Sequence, residues 1–168
     1  MAVHPSLDTM AIEAIEEYLA VSAHCLSSVK QDGGCYGYPA TLLLFCVTNA
    51  LGVYLAGESV TVGQHSQHIR EKKPFRVFNH ECFGLALDEE EIRRLEVAYR
   101  NRLAHNAFID IGAGLVAHPS GPPFAFTPDQ IKINVVSFHA LVTKAWERFP
   151  RERIEAWAKR HKNTPKRS

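Results

Sequence analysis

The stretch Asp88-Glu89-Glu90-Glu91-Ile92-Arg93-Arg94-Leu95-Glu96-Val97-Ala98-Tyr99-Arg100-Asn101-Arg102-Leu103-Ala104-His105 decides how the chain is read. Asp88 followed three residues later by Glu91 has the spacing of a capping box, and the three Glu of the first turn suit the positive end of a helix dipole. Ile92, Leu95, Tyr99 and Leu103 then recur at helical spacing and form one apolar stripe. The pattern predicts a helix from Asp88 to about His105 or slightly beyond.

The segments on either side carry the same period. On the N-terminal side, Met10, Ile12, Ile15, Tyr18, Leu19, Ser22, Cys25, Leu26 and Val29 predict a helix over 7–29. The run Asp32-Gly33-Gly34-Cys35-Tyr36-Gly37-Tyr38-Pro39 breaks it, with Pro39 suited to a first helical turn. Residues 33–57 carry no charge, a length that could span a bilayer. Several Gly, Pro39, Thr41, Thr48 and Asn49 interrupt the run and only Lys30 flanks it, so a buried central helix over 41–56 is expected and no membrane span. A polar connection, 57–79, follows, with a short helix expected at 66–72. Beyond the central stretch, Gly112 to Asp129 holds four Pro and three Gly. Leu115-Val116-Ala117-His118 and Phe124-Ala125-Phe126-Thr127 read as a hairpin around a Pro-Ser-Gly-Pro turn, which a strand at 131–133 would join. A last long helix is expected over 134–149, broken by Pro150, and a short one over 151–161. The fold class is mainly α: a bundle of four to five helices with a small β-hairpin insertion near 112–133. Residues 1–161 read as a single domain and 162–168 as a basic C-terminal tail.

Composition agrees with a globular domain. The chain has 168 residues, 46% hydrophobic and 22% charged, and a formal net charge of +1. These values exclude a disordered tail, a collagen-like fibre and a bulk polyelectrolyte binder. The charge is unevenly placed: residues 144–168 hold nine of the 19 Lys and Arg against three Glu. Cys25, Cys35, Cys46 and Cys82 include no CxxC pair, and no basic, apolar leader is seen at the start. Reduced thiols and a cytoplasmic protein are expected. His65 and His68 are spaced HxxH and His80 and Cys82 follow, but zinc sites show tighter pairs in both halves, so no metal and no cofactor are expected.

Within the deciding stretch, advance about 100° per residue from Ile92. The apolar stripe spans roughly −60° to +40°, Asn101 falls near 180° and His105 near 220°, and Arg100 lies on the flank near 80°. Asn101 and His105 therefore share the face opposite the core stripe. Arg100 converges on His105 only through its long side chain, by unwinding of the last turn, or through a second copy of the helix. The plain reading of these residues is a helix C-terminus, with Arg100 and Arg102 suiting the dipole and Asn101, His105 and Asn106 capping its carbonyls.

Arg100-Asn101-Arg102-Leu103-Ala104-His105 also resembles the motif of HEPN domains: Arg, a polar residue, three more, then His near the end of a long helix. The local wording, an aromatic before Arg-Asn and then Leu-Ala-His-Asn, is typical of bacterial members. The architectural likeness covers roughly 7–149. The Gly/Pro-rich hairpin is an addition to the minimal family bundle. The resemblance implies a HEPN-like helical bundle acting as a homodimer that joins two motifs in one cleft. It also implies a metal-independent RNase of toxin or defence type, with an antitoxin-like protein as partner. By the match, Arg100 contacts the scissile phosphate, Asn101 is the polar helper and His105 the acid–base residue, with Arg102 and Asn106 adjacent for nucleic-acid binding.

The chemistry fits these residue types. Metal-free RNA cleavage needs the 2′-OH deprotonated, the leaving 5′-oxygen protonated and the phosphorane charge stabilised. Histidine titrates near neutral pH. Arginine is always charged and presents a fork to phosphate oxygens. One His per chain falls short of an acid plus a base, and a dimer supplies both. Two other readings stay open. One is a non-catalytic HEPN-like module binding RNA, a nucleotide or a protein partner. The other is an unrelated helical protein that binds a small molecule at its 39–57 helix. The basic segments 70–76 and 144–168 could follow an RNA backbone or form a solvated face. Tyr36 and Tyr38 could stack bases or serve in packing.

Overall fold

The computed structural model describes residues 6–31, 33–98 and 113–162. Helix α1 (Leu7–Ser27) starts at Ser6, whose hydroxyl accepts from the Thr9 N–H at 3.4 Å, and it buries Ala11, Ile15, Leu19 and Ser22. Helix α2 (Gly37–Tyr54) lies along it. From Ala40 to Ala56 no residue is exposed, as the uncharged run implies. It is the one helix among the described residues long and apolar enough to cross a membrane, and 50% of that window is buried inside the protein.

After α2 the chain departs from expectation. Strands β1 (Ser59–Val62) and β2 (His65–His68) pair antiparallel, with Val62 opposite His65. The expected short helix at 66–72 is thus replaced by a strand. The two-residue turn decides this: Gly63 has φ +60°, the conformation such hairpin turns require, and Val60 and Val62 alternate inward. A 3₁₀ helix (Pro74–Asn79) then drives Phe75, Val77 and Phe78 into the core. It lies so close to α2 that a Cβ on Gly52 would sit 2.2 Å from the Pro74 carbonyl oxygen.

Helix α3 (Glu89–Val97) carries the capping box read from the sequence: Asp88 Oδ1 accepts from Glu91 N–H at 2.8 Å, and Glu91 Oε2 accepts from Asp88 N–H at 3.0 Å. Ile92 and Leu95 are buried. Strands β3 (Ala113–Val116), β4 (Phe124–Phe126) and β5 (Ile131–Asn134) follow. Their order is β3-β5-β4, with β5 parallel to β3 and antiparallel to β4. β3 and β4 are therefore not hairpin partners. The tight turn is at Thr127, whose N–H bonds Gln130 O at 2.9 Å, while the long 117–123 loop folds over the end of β5. There Asn134 accepts from His118 N–H at 3.2 Å and donates to Ser120 O at 3.1 Å. Ile131 and Ile133 are buried, which places β5 in the centre.

Helix α4 (Val135–Glu147) sends Phe138 into a cluster with Phe45, Phe78 and Phe124, at ring-centroid distances of 4.9, 6.1 and 5.0 Å. Burying each such ring contributes about 1.5–3 kcal/mol. Helix α5 (Glu152–Lys162) includes Lys162, so the helical part extends one residue into the expected tail. It buries Ile154 and Ala158 and packs Trp157 against Tyr54, 5.0 Å between centroids. The described chain is mainly α-helical around one core that α1 to α5 and both sheets share.

Candidate functional site

The residues singled out in the sequence, Arg100, Asn101, Arg102, His105 and Asn106, lie outside the described residues. The structure instead gives the frame on either side of them. Helix α3 ends at Val97, followed by buried Ala98, and β3 begins at Ala113. Both ends line one open cleft of about 470 Å³. Its α3 wall is Glu90, Arg93, Arg94, Val97 and Ala98, and its sheet wall includes Ala113, Asp129 and Ile131.

The α3 wall is electrostatically organised. Glu90 accepts two hydrogen bonds from Arg93, from Nε at 2.7 Å and from Nη2 at 2.5 Å. That fork holds the Glu90 carboxyl below its ordinary range. Arg94 donates to the Thr127 carbonyl at 2.8 Å and lies 5.8 Å from the Phe126 ring centroid, which ties α3 to the β4–β5 turn. Two guanidinium groups thus line the cleft, Arg93 exposed and paired with Glu90, Arg94 tied to the Thr127 carbonyl. An entering phosphate would compete with Glu90 for Arg93 and find Arg94 already braced. The sequence reading passed over both arginines. In the sequence Arg93 and Arg94 stand seven residues before Arg100 and Asn101.

The base of α3 is fastened more firmly. Arg76, 6% exposed, donates from Nη2 to both Glu89 oxygens at 3.1 Å and from Nη1 to His68 O at 3.1 Å. Lys73 adds a contact to Glu89 at 2.7 Å. Together they lower the Glu89 carboxyl, the Lys73 hydrogen bond most and the Arg76 contacts next. Residues of one 3₁₀ helix and its cap therefore fasten the start of α3.

Two of the histidines considered for metal, His68 and His80, make local contacts. His68 Nδ1 lies 3.2 Å from both Ser59 Oγ and Gly57 O, closing the hairpin. His80 Nδ1 lies 3.1 Å from Cys82 Sγ and accepts from the Cys82 N–H at 3.3 Å. Burial lowers the His80 imidazole and pushes the Cys82 thiol up to about 11. Among the described residues no three His, Cys, Asp or Glu side chains are grouped to hold a metal, and all four cysteines are free thiols.

Comparison of the chain with models of known protein families, with curated proteins and with solved structures returns no match.

Proposed function

We propose that the protein is a HEPN-like, metal-independent endoribonuclease acting on single-stranded RNA, with Arg100, Asn101 and His105 as its reacting set. The observation that carries this reading is the string Arg100-Asn101-Arg102-Leu103-Ala104-His105, which begins seven residues after Arg93 in the sequence. The mainly helical fold supports it, as does the cleft that Arg93 and Arg94 line. In this reading Arg100 binds the scissile phosphate and stabilises the phosphorane charge. His105 takes or gives the proton, and Asn101 orients the imidazole or donates to a phosphate oxygen. A homodimer pairs one His105 as base with a second as acid. Arg102 and Asn106 lie beside the reacting set for backbone contact.

The test is cleavage of a fluorescently labelled single-stranded RNA by purified protein in the presence of a chelator, wild type against His105→Ala. Cleavage that depends on His105 and ignores the chelator supports the reading. RNA binding without cleavage by the wild type replaces it with a non-catalytic RNA-binding module. Cleavage that survives His105→Ala refutes the assignment.

A further inference from the structure

Helix α1 buries one side and carries a second apolar stripe beside it. Of the large apolar side chains exposed among the described residues, Met10, Tyr18 and Val21 share this one helix, at 42%, 40% and 49%. Half-buried Ala14 and Cys25 continue the line. Counting about 100° per residue from Met10, Ala14, Tyr18, Val21 and Cys25 fall near 40°, 80°, 20° and 60°. The buried Ala11, Ile15, Leu19 and Ser22 occupy about 100° to 180° on the same scale. The exposed stripe is therefore distinct from the face that α1 turns to its own core, and it has the narrow width of a helix–helix seam. Glu17 and His24, both exposed, border it on the solvent side near −20° and −40°.

The spacing of the stripe has two further properties. Met10 to Val21 and Ala14 to Cys25 are each eleven residues apart. An eleven-residue period nearly closes three helical turns, so the stripe runs almost straight along the helix. Positions 14, 18, 21 and 25 also read the same in both directions, at steps of four, three and four residues. Turned end for end, the stripe meets its own pattern: the bulky Tyr18 falls beside the smaller Val21, and Ala14 beside Cys25. Charge is uneven along the same helix. Asp8, Glu13, Glu16 and Glu17 stand in its first half, and the sequence has no acid from Tyr18 to Ser27.

We propose that α1 docks on α1 of a second copy of this chain, antiparallel, about a two-fold axis between Tyr18 and Val21. The reversible spacing selects a second copy, since a two-fold contact matches a surface to itself. The charge pattern selects the antiparallel direction. It lays the acids of each copy against the acid-free half of the other, with Glu17 near His24 of the partner subunit, whereas the parallel direction sets acid on acid. The same acids oppose an anionic lipid surface or a nucleic acid as the occupant. The contact is independent of the RNA reading, whose homodimer is defined by His105 and not by α1. One helix pair makes a small interface, so the dimer dissociates on dilution.

Sedimentation velocity over a dilution series tests this on the full chain, wild type against Val21→Glu, Tyr18→Ala and, as a control on another exposed apolar site, Val116→Glu. Val21→Glu brings two carboxylates to the axis and is expected to weaken association about tenfold or more, as is loss of the Tyr18 ring. Val116→Glu is expected to change nothing. Separately, Ala14→Cys is oxidised mildly and mapped by mass spectrometry. The introduced thiol is expected to bridge to Cys25 of the partner subunit. Along one helix the two positions lie about 16 Å apart, beyond the reach of a disulfide, so this bridge forms only between copies. A bridge from position 14 to position 14 means a parallel pair and overturns the proposal. A dimer unmoved by Val21→Glu and Tyr18→Ala, or one without the 14-to-25 bridge, also overturns it and leaves the pairing of His105 standing. A wild type that stays monomeric at every concentration overturns both. If the substitutions at 18 and 21 prevent folding, the bridge decides.

Discussion

The guanidinium of Arg76, a buried residue of the 3₁₀ helix, spans both carboxylate oxygens of Glu89 at the first residue of α3. The pair is lopsided: the Arg76 side chain is 8% exposed and the Glu89 side chain 46%. Removing the acid strands a buried cation, while removing the cation leaves a carboxylate that water can reach. Glu89→Ala should therefore lower stability by about 1–3 kcal/mol, and Arg76→Met with Glu89→Ala together should cost less than the two singles summed. Urea denaturation of the four proteins measures the cycle, and strict additivity would show that the contact is not coupled.

The same contact sets an acid limit. Lys73 and Arg76 hold the Glu89 carboxyl below its ordinary value. A depressed folded-state value contributes stability that is fully present above the unfolded value and is lost as pH falls through the folded one. The stability gap between wild type and Glu89→Gln should be widest above about pH 4.5 and close as pH falls further. Thermal melts from pH 7 down to 3 test this, and a gap that widens in acid would contradict it.

Gly52 is required by space rather than by backbone freedom. A Cβ there would meet the Pro74 carbonyl oxygen at 2.2 Å and the Pro74 Cα at 2.8 Å, both backbone atoms. Gly52→Ala gains helix propensity but must push the 3₁₀ helix off α2. The expected net effect is a loss of about 1–3 kcal/mol, read from the denaturation midpoint. A more stable Gly52→Ala protein would disprove the close approach.

Cys82 should be the slowest of the four thiols. It is 4% exposed, and its thiol titrates near 11 because burial disfavours the thiolate. Little of it is therefore thiolate at neutral pH. Alkylation of the native protein followed by peptide mass mapping should mark half-buried Cys25, Cys35 and Cys46 before Cys82. Early labelling of Cys82 would mean that its neighbourhood opens.

For the proposed reaction, Arg100→Lys should slow RNA cleavage nearly as much as Arg100→Ala, since a point charge cannot reproduce a two-pronged phosphate contact. His105→Ala should slow it by roughly 10²–10⁴-fold. Single-turnover assays give both numbers, and an Arg100→Lys enzyme of wild-type rate would remove Arg100 from the phosphate.

By itself the sequence determined the elements whose signals are local. The Asp88–Glu91 box, the α1 period, the charge-free α2 and the Pro150 break before α5 each depend on residues within a few turns of one another, and each is present in the structure, α2 starting at Gly37, four residues before the expected 41–56. The candidate motif was also legible as a string of residue types, because its chemistry depends on what they are. Only the tertiary structure decided what depends on distant partners. β5 enters between β3 and β4 because its inward isoleucines need both sides covered and because Asn134 clamps the 117–123 loop. The 66–68 stretch becomes a strand because Gly63 turns it back onto β1. Gly52 is explained by Pro74, twenty-two residues away, Glu89 by Arg76, and the exposure of Tyr38 by what the core leaves outside. Helical period and capping are short-range and leave a pattern along the chain. Strand order, buried ion pairs and surface clefts come from segments meeting in space, for which one chain's linear spacing holds no record.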